Sequence, residues 1–247
     1  MSVLILALAA GAVTGLALGA LGGGGSVLTV PALIYLLGFT PSAATTASLV
    51  IVTLTSATAL SAHAREGTVR WRAGALFAAA GLIPAALGGA VSGRLPPALL
   101  TGAFSLIAAL AAVRMLRPAA EPGAAPAGTG RITTAGAGLG AVTGVLGVGG
   151  GFLAVPALVN VVGLRMRAAV GTSLLVITAN SLAALLARAG TARSLDWAVV
   201  APFAGAAVLG AWDGKRLAAR VSGGTLRRIF AWALLAVAAL MLLDVVL

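Results

Sequence analysis

The chain carries no Asp, Glu, Lys or Arg before Arg65. A stretch that long without a formal charge cannot supply the surface of a soluble domain. Only 9% of all residues are charged and 60% are hydrophobic, against about a quarter charged in an ordinary globular domain. A single apolar soluble core does not account for this, so the chain reads as a polytopic membrane protein.

The opening "MSVLILALAAGA" mimics the apolar core of a signal peptide. No basic residue precedes it and the stretch recurs in the second half, so it reads as structure rather than address. The absence of cysteine excludes disulfides, thiolate catalysis and thiolate metal sites. The net charge of +11 is spread over single and paired Arg and Lys at the ends of apolar runs, without aromatic interleaving. That pattern belongs to cytoplasmic loops, not to nucleic-acid binding.

Within the charge-free stretch lies "GALGGGGSVLTVPAL", residues 19–33, and an offset of 125 residues brings it onto "GVLGVGGGFLAVPAL", residues 144–158. Ten of the 15 positions are identical: Gly19, Leu21, Gly22, Gly24, Gly25, Leu28, Val30, Pro31, Ala32 and Leu33 match their partners. The register carries on to Ser48 with Ser173, Thr53 with Thr178 and Ser56 with Ser181. Such self-similarity predicts one membrane domain over 1–247 made of two homologous repeats, 1–118 and 132–247. They meet in "RPAAEPGAAPAGTGR", which predicts a linker over 119–131. Each repeat is expected to be all-α: a glycine-broken hairpin or re-entrant segment (2–38; 132–163), then three spans. These spans are 44–63, 73–93 and 99–116 in the first half, and 168–187, 197–213 and 229–246 in the second.

The basic residues choose between parallel and inverted repeats. With one crossing per broken segment they divide eight against eight. With each broken segment returning to its starting side, loops 64–72, 114–131, 164–167 and 214–228 share one side with 13 basic residues, against Arg94, Arg188 and Arg193 on the other. The second division has the bias expected of a cytoplasmic face, so the repeats are expected to be inverted, with both termini outside.

Broken backbone survives in a bilayer only when buried in protein or lining a cavity, and paired helix breaks point to a transporter's binding site. A glycine turn frees N–H groups, and the helix starting near Ser26 or Gly151 aims its positive end at the same place. Both features suit an anion. The candidate substrate residues are therefore Gly22, Gly23, Gly24, Gly25, Ser26 and Pro31 with Ser48, and Gly147, Gly149, Gly150, Gly151 and Pro156 with Thr172, Ser173 and Asn180. The hydroxyls of Ser48 and Ser173 read equally well as anion donors and as back-bonding helix residues, and Asn180 as a site residue or as interhelical glue. Gly11, Gly15, Gly19, Gly136, Gly140 and Gly144 have the four-residue spacing of close helix packing. No Lys-Ser or Lys-Thr follows the glycines, as a P-loop requires. No acid lies within a span to relay protons. His63 reads as a solvated residue at a helix end. No metal, cofactor or catalytic set is expected.

Two copies of a glycine turn followed by Val-Pro-Ala-Leu, with "TTASL" and "GTSLL" on the next helices, resemble the sulfite exporter TauE/SafE family. The resemblance implies a bacterial inner-membrane permease for sulfite, sulfoacetate or other small sulfur-containing or organic anions. By carry-over it marks Gly22–Ser26 with Pro31, and Gly147–Gly151 with Pro156. "TTASL" departs from "GTSLL" at Thr46 and Ala47, where the second copy has Gly171 and Thr172. The expected partners are a small anion, the lipid bilayer and a second copy of the chain. The alternatives are a channel-like uniporter and a non-transporting subunit or assembly factor.

Overall fold

A computed structural model describes residues 2–92, 96–117, 128–146, 151–187 and 195–246. Every regular element among them is helical: α1 (Ser2–Leu21), α2 (Gly24–Pro31), α3 (Pro41–Arg65), α4 (Trp71–Ser92), α5 (Pro97–Leu116), α6 (Thr129–Leu146), α7 (Gly151–Asn160), α8 (Met166–Ala187), α9 (Trp197–Ala219) and α10 (Gly223–Val246). Among the described residues, five helical stretches are long and apolar enough to cross a membrane: Val3–Leu21, Ala43–Arg65, Met166–Leu186, Trp197–Ala219 and Gly223–Leu240. Trp71–Leu87 and Ser105–Leu116 are shorter apolar stretches. Most of the expected linker lies outside the described residues, and α6 begins inside its last residues.

Local chemistry sets the helix ends. The Thr40 side chain accepts the Ala43 N–H ahead of Pro41, which occupies the first turn of α3. Gly67, at φ +67°, turns the chain out of α3. Asp196 accepts the Ala198 N–H at the start of α9, and Ser222 accepts the Thr225 N–H at the start of α10. The last two helices run longer than the sequence reading, which stopped at the charges of 214–228. Lys215 and Arg216 instead ride on the C-terminal turns of α9, where cations favour the helix dipole, and only residues 220–222 separate α9 from α10.

The first broken segment is a hairpin. The 20 residues of α1 cover about 30 Å, a full hydrocarbon thickness. The chain then turns at Gly22 and runs back. Thr29 shares a crevice with Thr14 and Leu18, and Leu33 clusters with Ala7 and Ala10. Beyond Pro31 the helix widens into a π-helical turn, Ala32–Leu36. The missing Pro31 N–H and the crowding of its ring favour this local change of pitch.

Backbone contacts between glycines and neighbouring helices organise the bundle. A Cβ on Gly11, Gly15 or Gly19 would lie 2.4, 2.0 or 2.0 Å from the carbonyl oxygens of Phe203, Ala207 and Ala211. Gly210 and Gly214 press back on Ala12 and Leu16 in the same way. The parallel pair α1–α9 thus meets main chain to main chain. Gly136 and Gly140 of α6 do the same on Phe77 and Gly81 of α4; the surroundings of Gly144 lie outside the described residues. In lipid, where burying apolar surface between helices gains little, such close approach is a principal source of association. A third pair, α5–α10, packs Ala108, Ala112 and Met115 against Phe230, Leu234 and Ala238.

Four connections meet at one end of the bundle. Lys215 on α9 bonds the Ala62 carbonyl near the end of α3. Arg167 at the start of α8 donates to the carbonyls of Ala219 and Val221. Arg227 on α10 donates to the carbonyls of Met115, in the last turn of α5, and of Arg117 just after it. Gly15→Ala is expected to destabilise the protein by about 1–3 kcal/mol, because backbone cannot yield to the new methyl. Gly205→Ala, with nothing within 4 Å of its Cβ, is expected to stabilise it by roughly 0.5–1 kcal/mol. Thermal unfolding in a neutral detergent compares the two, and equal shifts would refute the packing account.

Candidate functional site

Gly22 closes α1 in the left-handed region, φ +73°, with its N–H on the Leu18 carbonyl at 2.8 Å. A side chain here would be strained, and it would also meet the Ser173 Oγ at 2.8 Å and the Val170 Cα at 2.9 Å. Gly23 is the N-cap of α2 and offers no side-chain acceptor. The first N–H groups of α2, from Gly24, Gly25 and Ser26, have no partner within their own helix, as at any helix start. Both Gly22 and Gly23 are buried.

The second half supplies the facing wall. The Ser173 Oγ, fully buried on α8, donates to the Gly22 carbonyl at 2.9 Å and also lies 2.8 Å from the Val170 carbonyl. One hydroxyl proton is therefore shared between two backbone acceptors, which ties the turn after α1 to α8. In this arrangement Ser173 acts on the protein's own backbone. Thr172 Oγ1, also fully buried, accepts the Arg70 N–H at 3.0 Å and holds the entry to α4. A Cβ on the preceding Gly171 would come within 2.9 Å of the Thr68 Oγ1. Thr68 in turn donates to the His63 carbonyl and lies 3.1 Å from the His63 Nδ1. His63 is 6% exposed, not the solvated residue expected. The tight connection through Gly67 folds Thr68 back over its ring.

The remaining candidates are spread more widely. Ser48 is buried on α3. Asn180 lies seven residues beyond Ser173 on α8, which places it on nearly the same helix face and about 10 Å along it. Its Oδ1 is buried without a hydrogen-bond partner. Pro31 is exposed at the end of α2, whereas Pro156 is buried inside α7. Gly151 begins α7; Gly147, Gly149 and Gly150 lie outside the described residues. The turn falls at the far end of α1 rather than midway along a crossing. Leu18, one turn before it, clusters with Ala59 of α3, Leu174 of α8 and Ala211 of α9.

Further polar groups lie around the turn: Thr178 and Ser56, which the sequence marks only through the repeat register, and Thr14 and Thr29, which it does not mark. The Thr178 Oγ1 donates to the Ser56 Oγ at 2.9 Å, a hydroxyl pair joining α8 to α3. Thr14, Thr29 and Thr55 line a narrow crevice between α1, α2, α3 and α9. Threonine is common in membrane helices because its hydroxyl can bond the i−4 carbonyl, as Thr14 and Thr55 do. Sequence spacing alone therefore does not separate lining threonines from packed ones.

A bundle of apolar helices, with a helix broken at glycine and the break closed by groups from the other half of the chain, is the architecture of a multi-pass membrane protein. The family model for the sulfite exporter TauE/SafE matches residues 7–241, and the chain belongs to that family. A protein of Xylella fastidiosa (strain 9a5c) named "Probable membrane transporter protein" is 36% identical over 246 residues, covering 95% of this chain and 93% of that one. Its counterpart in strain Temecula1 / ATCC 700964, with the same name, is 35% identical over the same shares. No solved structure matches the chain significantly.

Ser173→Ala is expected to cost about 1–3 kcal/mol, because it leaves the buried Gly22 carbonyl without its donor. Thr172→Val is expected to cost about 1 kcal/mol through the lost bond at the start of α4. Thermal unfolding measures both, and a Ser173→Ala protein as stable as the parent would remove the cross-half bond from the account.

Proposed function

We propose that the protein exports small anions, sulfur-containing or organic, such as sulfite or sulfoacetate, across a bacterial inner membrane by alternating access. The observation that carries this reading is the buried turn at Gly22–Gly23. It starts a helix whose first N–H groups lack intrahelical partners, and Ser173 ties it to the other half of the chain. A helix start set among packed helices favours negative charge through its dipole and its N–H groups.

The two halves act as inverted repeats in this reading. Support comes from the reciprocity of the packing. Gly11 and Gly15 press on Phe203 and Ala207, and at an offset of 125 Gly136 and Gly140 press on Phe77 and Gly81. The bonds that gather the connections after α3, α5, α7 and α9 at one end agree with the side assigned to the cytoplasm by its basic residues. The pairs α1–α9 and α4–α6 are joined by backbone and move as units. α3 and α8, bridged by the Ser56–Thr178 hydroxyl pair, lie where the units meet. Gly22, Gly23, Gly24, Gly25, Ser26 and Ser48 with Gly147, Gly149, Gly150, Gly151, Thr172, Ser173 and Asn180 form the site, and Pro31 and Pro156 shape the returning helices.

Export of an anion needs no coupling ion. With the inside negative, each unit of negative charge leaving gains about 2.3 kcal/mol per 100 mV. Proteoliposomes loaded with sulfite, sulfoacetate, sulfate or short carboxylates test the reading. Saturable efflux of a sulfur-containing or organic anion is expected, lost in a well-folded Gly24→Leu protein. Unsaturable flux would assign a channel, and no flux of any anion would assign a non-transporting subunit. Full flux through Gly24→Leu would move the site away from the turn.

A further inference from the structure

A second cluster of charge, apart from the glycine turn, lies at the end of the bundle where α3 and α9 terminate. Glu66, Trp212, Lys215, Arg216, Ala219 and Arg220 line an open cavity of about 410 Å³. Lys215 is the least exposed of its three cations. Its side chain is 14% exposed, and its Nζ lies 2.8 Å from the Glu66 Oε1 and 2.6 Å from the Ala62 carbonyl. That ammonium is held in place by α3, and one of its three N–H donors is not used by either partner. Glu66 is half exposed, at 52%, so its carboxylate can exchange the ion pair for water at small cost. Arg216 pairs only loosely with Asp213, at 3.7 Å, and lies 6.0 Å from the Trp212 ring centroid. No carboxylate pairs with Arg220 among the described residues. The cavity therefore holds three cations against the lining Glu66 and the adjacent Asp213, with an aromatic wall beside them.

We propose that this cavity is an oxyanion-binding site in which Lys215 and Arg220 take the anion and Glu66 is the exchangeable counter-ion that occupies Lys215 in its absence. The guanidinium fork of Arg220 suits a tetrahedral or pyramidal oxyanion, and the excess of cations concentrates anions at the cavity. The ligand is a free oxyanion of the sulfite or sulfate type or the phosphate of an anionic lipid, since both present the same oxygens. The site goes beyond the transport reading, because an anion binds here whether or not it crosses the membrane.

The experiment is a titration of the purified full-length protein in phosphatidylcholine nanodiscs with sodium sulfite and with sodium sulfate, at ionic strength held constant with gluconate. Binding, not flux, is the readout, so the result is independent of whether the protein transports. Glu66→Gln is expected to tighten binding roughly three- to tenfold by removing the competitor. Lys215→Met is expected to weaken it at least about tenfold, and Arg220→Gln, whose side chain is exposed and cheap to replace, several-fold. Should Lys215→Met fail to fold, the opposite shifts in Glu66→Gln and Arg220→Gln decide the matter. Thermal stabilisation by phosphatidylglycerol, without binding of free anions, that rises in Glu66→Gln and falls in Arg220→Gln would assign the site to lipid phosphate. If Glu66→Gln and Arg220→Gln change neither response, Lys215 merely caps α3 and the proposal is overturned.

Discussion

A carbonyl freed at a turn buried among packed helices has no water to turn to, and leaving it unpaired costs about 1–3 kcal/mol. Breaking a helix at Gly22 therefore creates a demand that the rest of the protein must meet. Ser173 meets it from α8, at 2.9 Å. This bond fixes where α8 lies against α1, and α8 in turn holds the entry to α4 through Thr172 and Arg70. The glycine is required twice at this point. Its positive φ turns the chain, and its missing Cβ lets the Val170 backbone approach. A turn that served only to reverse the chain would need the first property but not the second.

The helix pairs follow a different logic. Gly11, Gly15 and Gly19 let α1 lie on the main chain of α9, and Gly136 and Gly140 let α6 lie on α4. At these glycines the contact is with backbone, which cannot repack as a side chain can. The contact between α3 and α8 is of another kind: Thr178 bonds Ser56, and two hydroxyls can exchange partners with each other, with backbone or with a passing solute. In the transport reading proposed above, the glycine seams hold the parts that keep their shape and the α3–α8 contact is the boundary that changes.

The sequence carried the helix plan because the bilayer punishes exceptions. The charge-free run, the glycine clusters and the basic residues fixed nearly every element to within a few positions. The end of α9 and the start of α10 differ from the sequence reading because Lys215, Arg227 and their neighbours bound the apolar windows without bounding the helices. The candidate site was legible only as a set of elements. Ser173 was marked as a possible anion donor, but its acceptor lies 151 residues away in sequence, and nothing local to "GTSLL" names Gly22. His63 reads as solvated because it sits at a helix end beside Arg65 and Glu66, yet the five residues that connect α3 to α4 fold Thr68 over it. The Lys215–Glu66 pair was illegible for the same reason as the Ser173 bond. Each partner reads alone as an ordinary loop charge.

The departures between the two copies carry a consequence for the state of the molecule. Thr172 reaches across to the Arg70 N–H, but Ala47, its counterpart in the proposed repeat, has no hydroxyl to do the same. The matching helix start, α9, is capped instead by its own Asp196, through the Ala198 N–H. One end of the bundle is thus bound across elements by Thr172, Lys215, Arg167 and Arg227. At the start of α9 the described cap is a local one. Opening the first end requires breaking several bonds that span helices, three of them to carbonyls in the last turns of α3, α5 and α9, whereas a local cap such as Asp196 travels with its own helix. In the alternating-access reading proposed above, this arrangement corresponds to the conformation closed at the cation-rich end. The energy needed to leave it must come from a ligand that binds the opened form better, since a ligand of equal affinity for both forms shifts nothing.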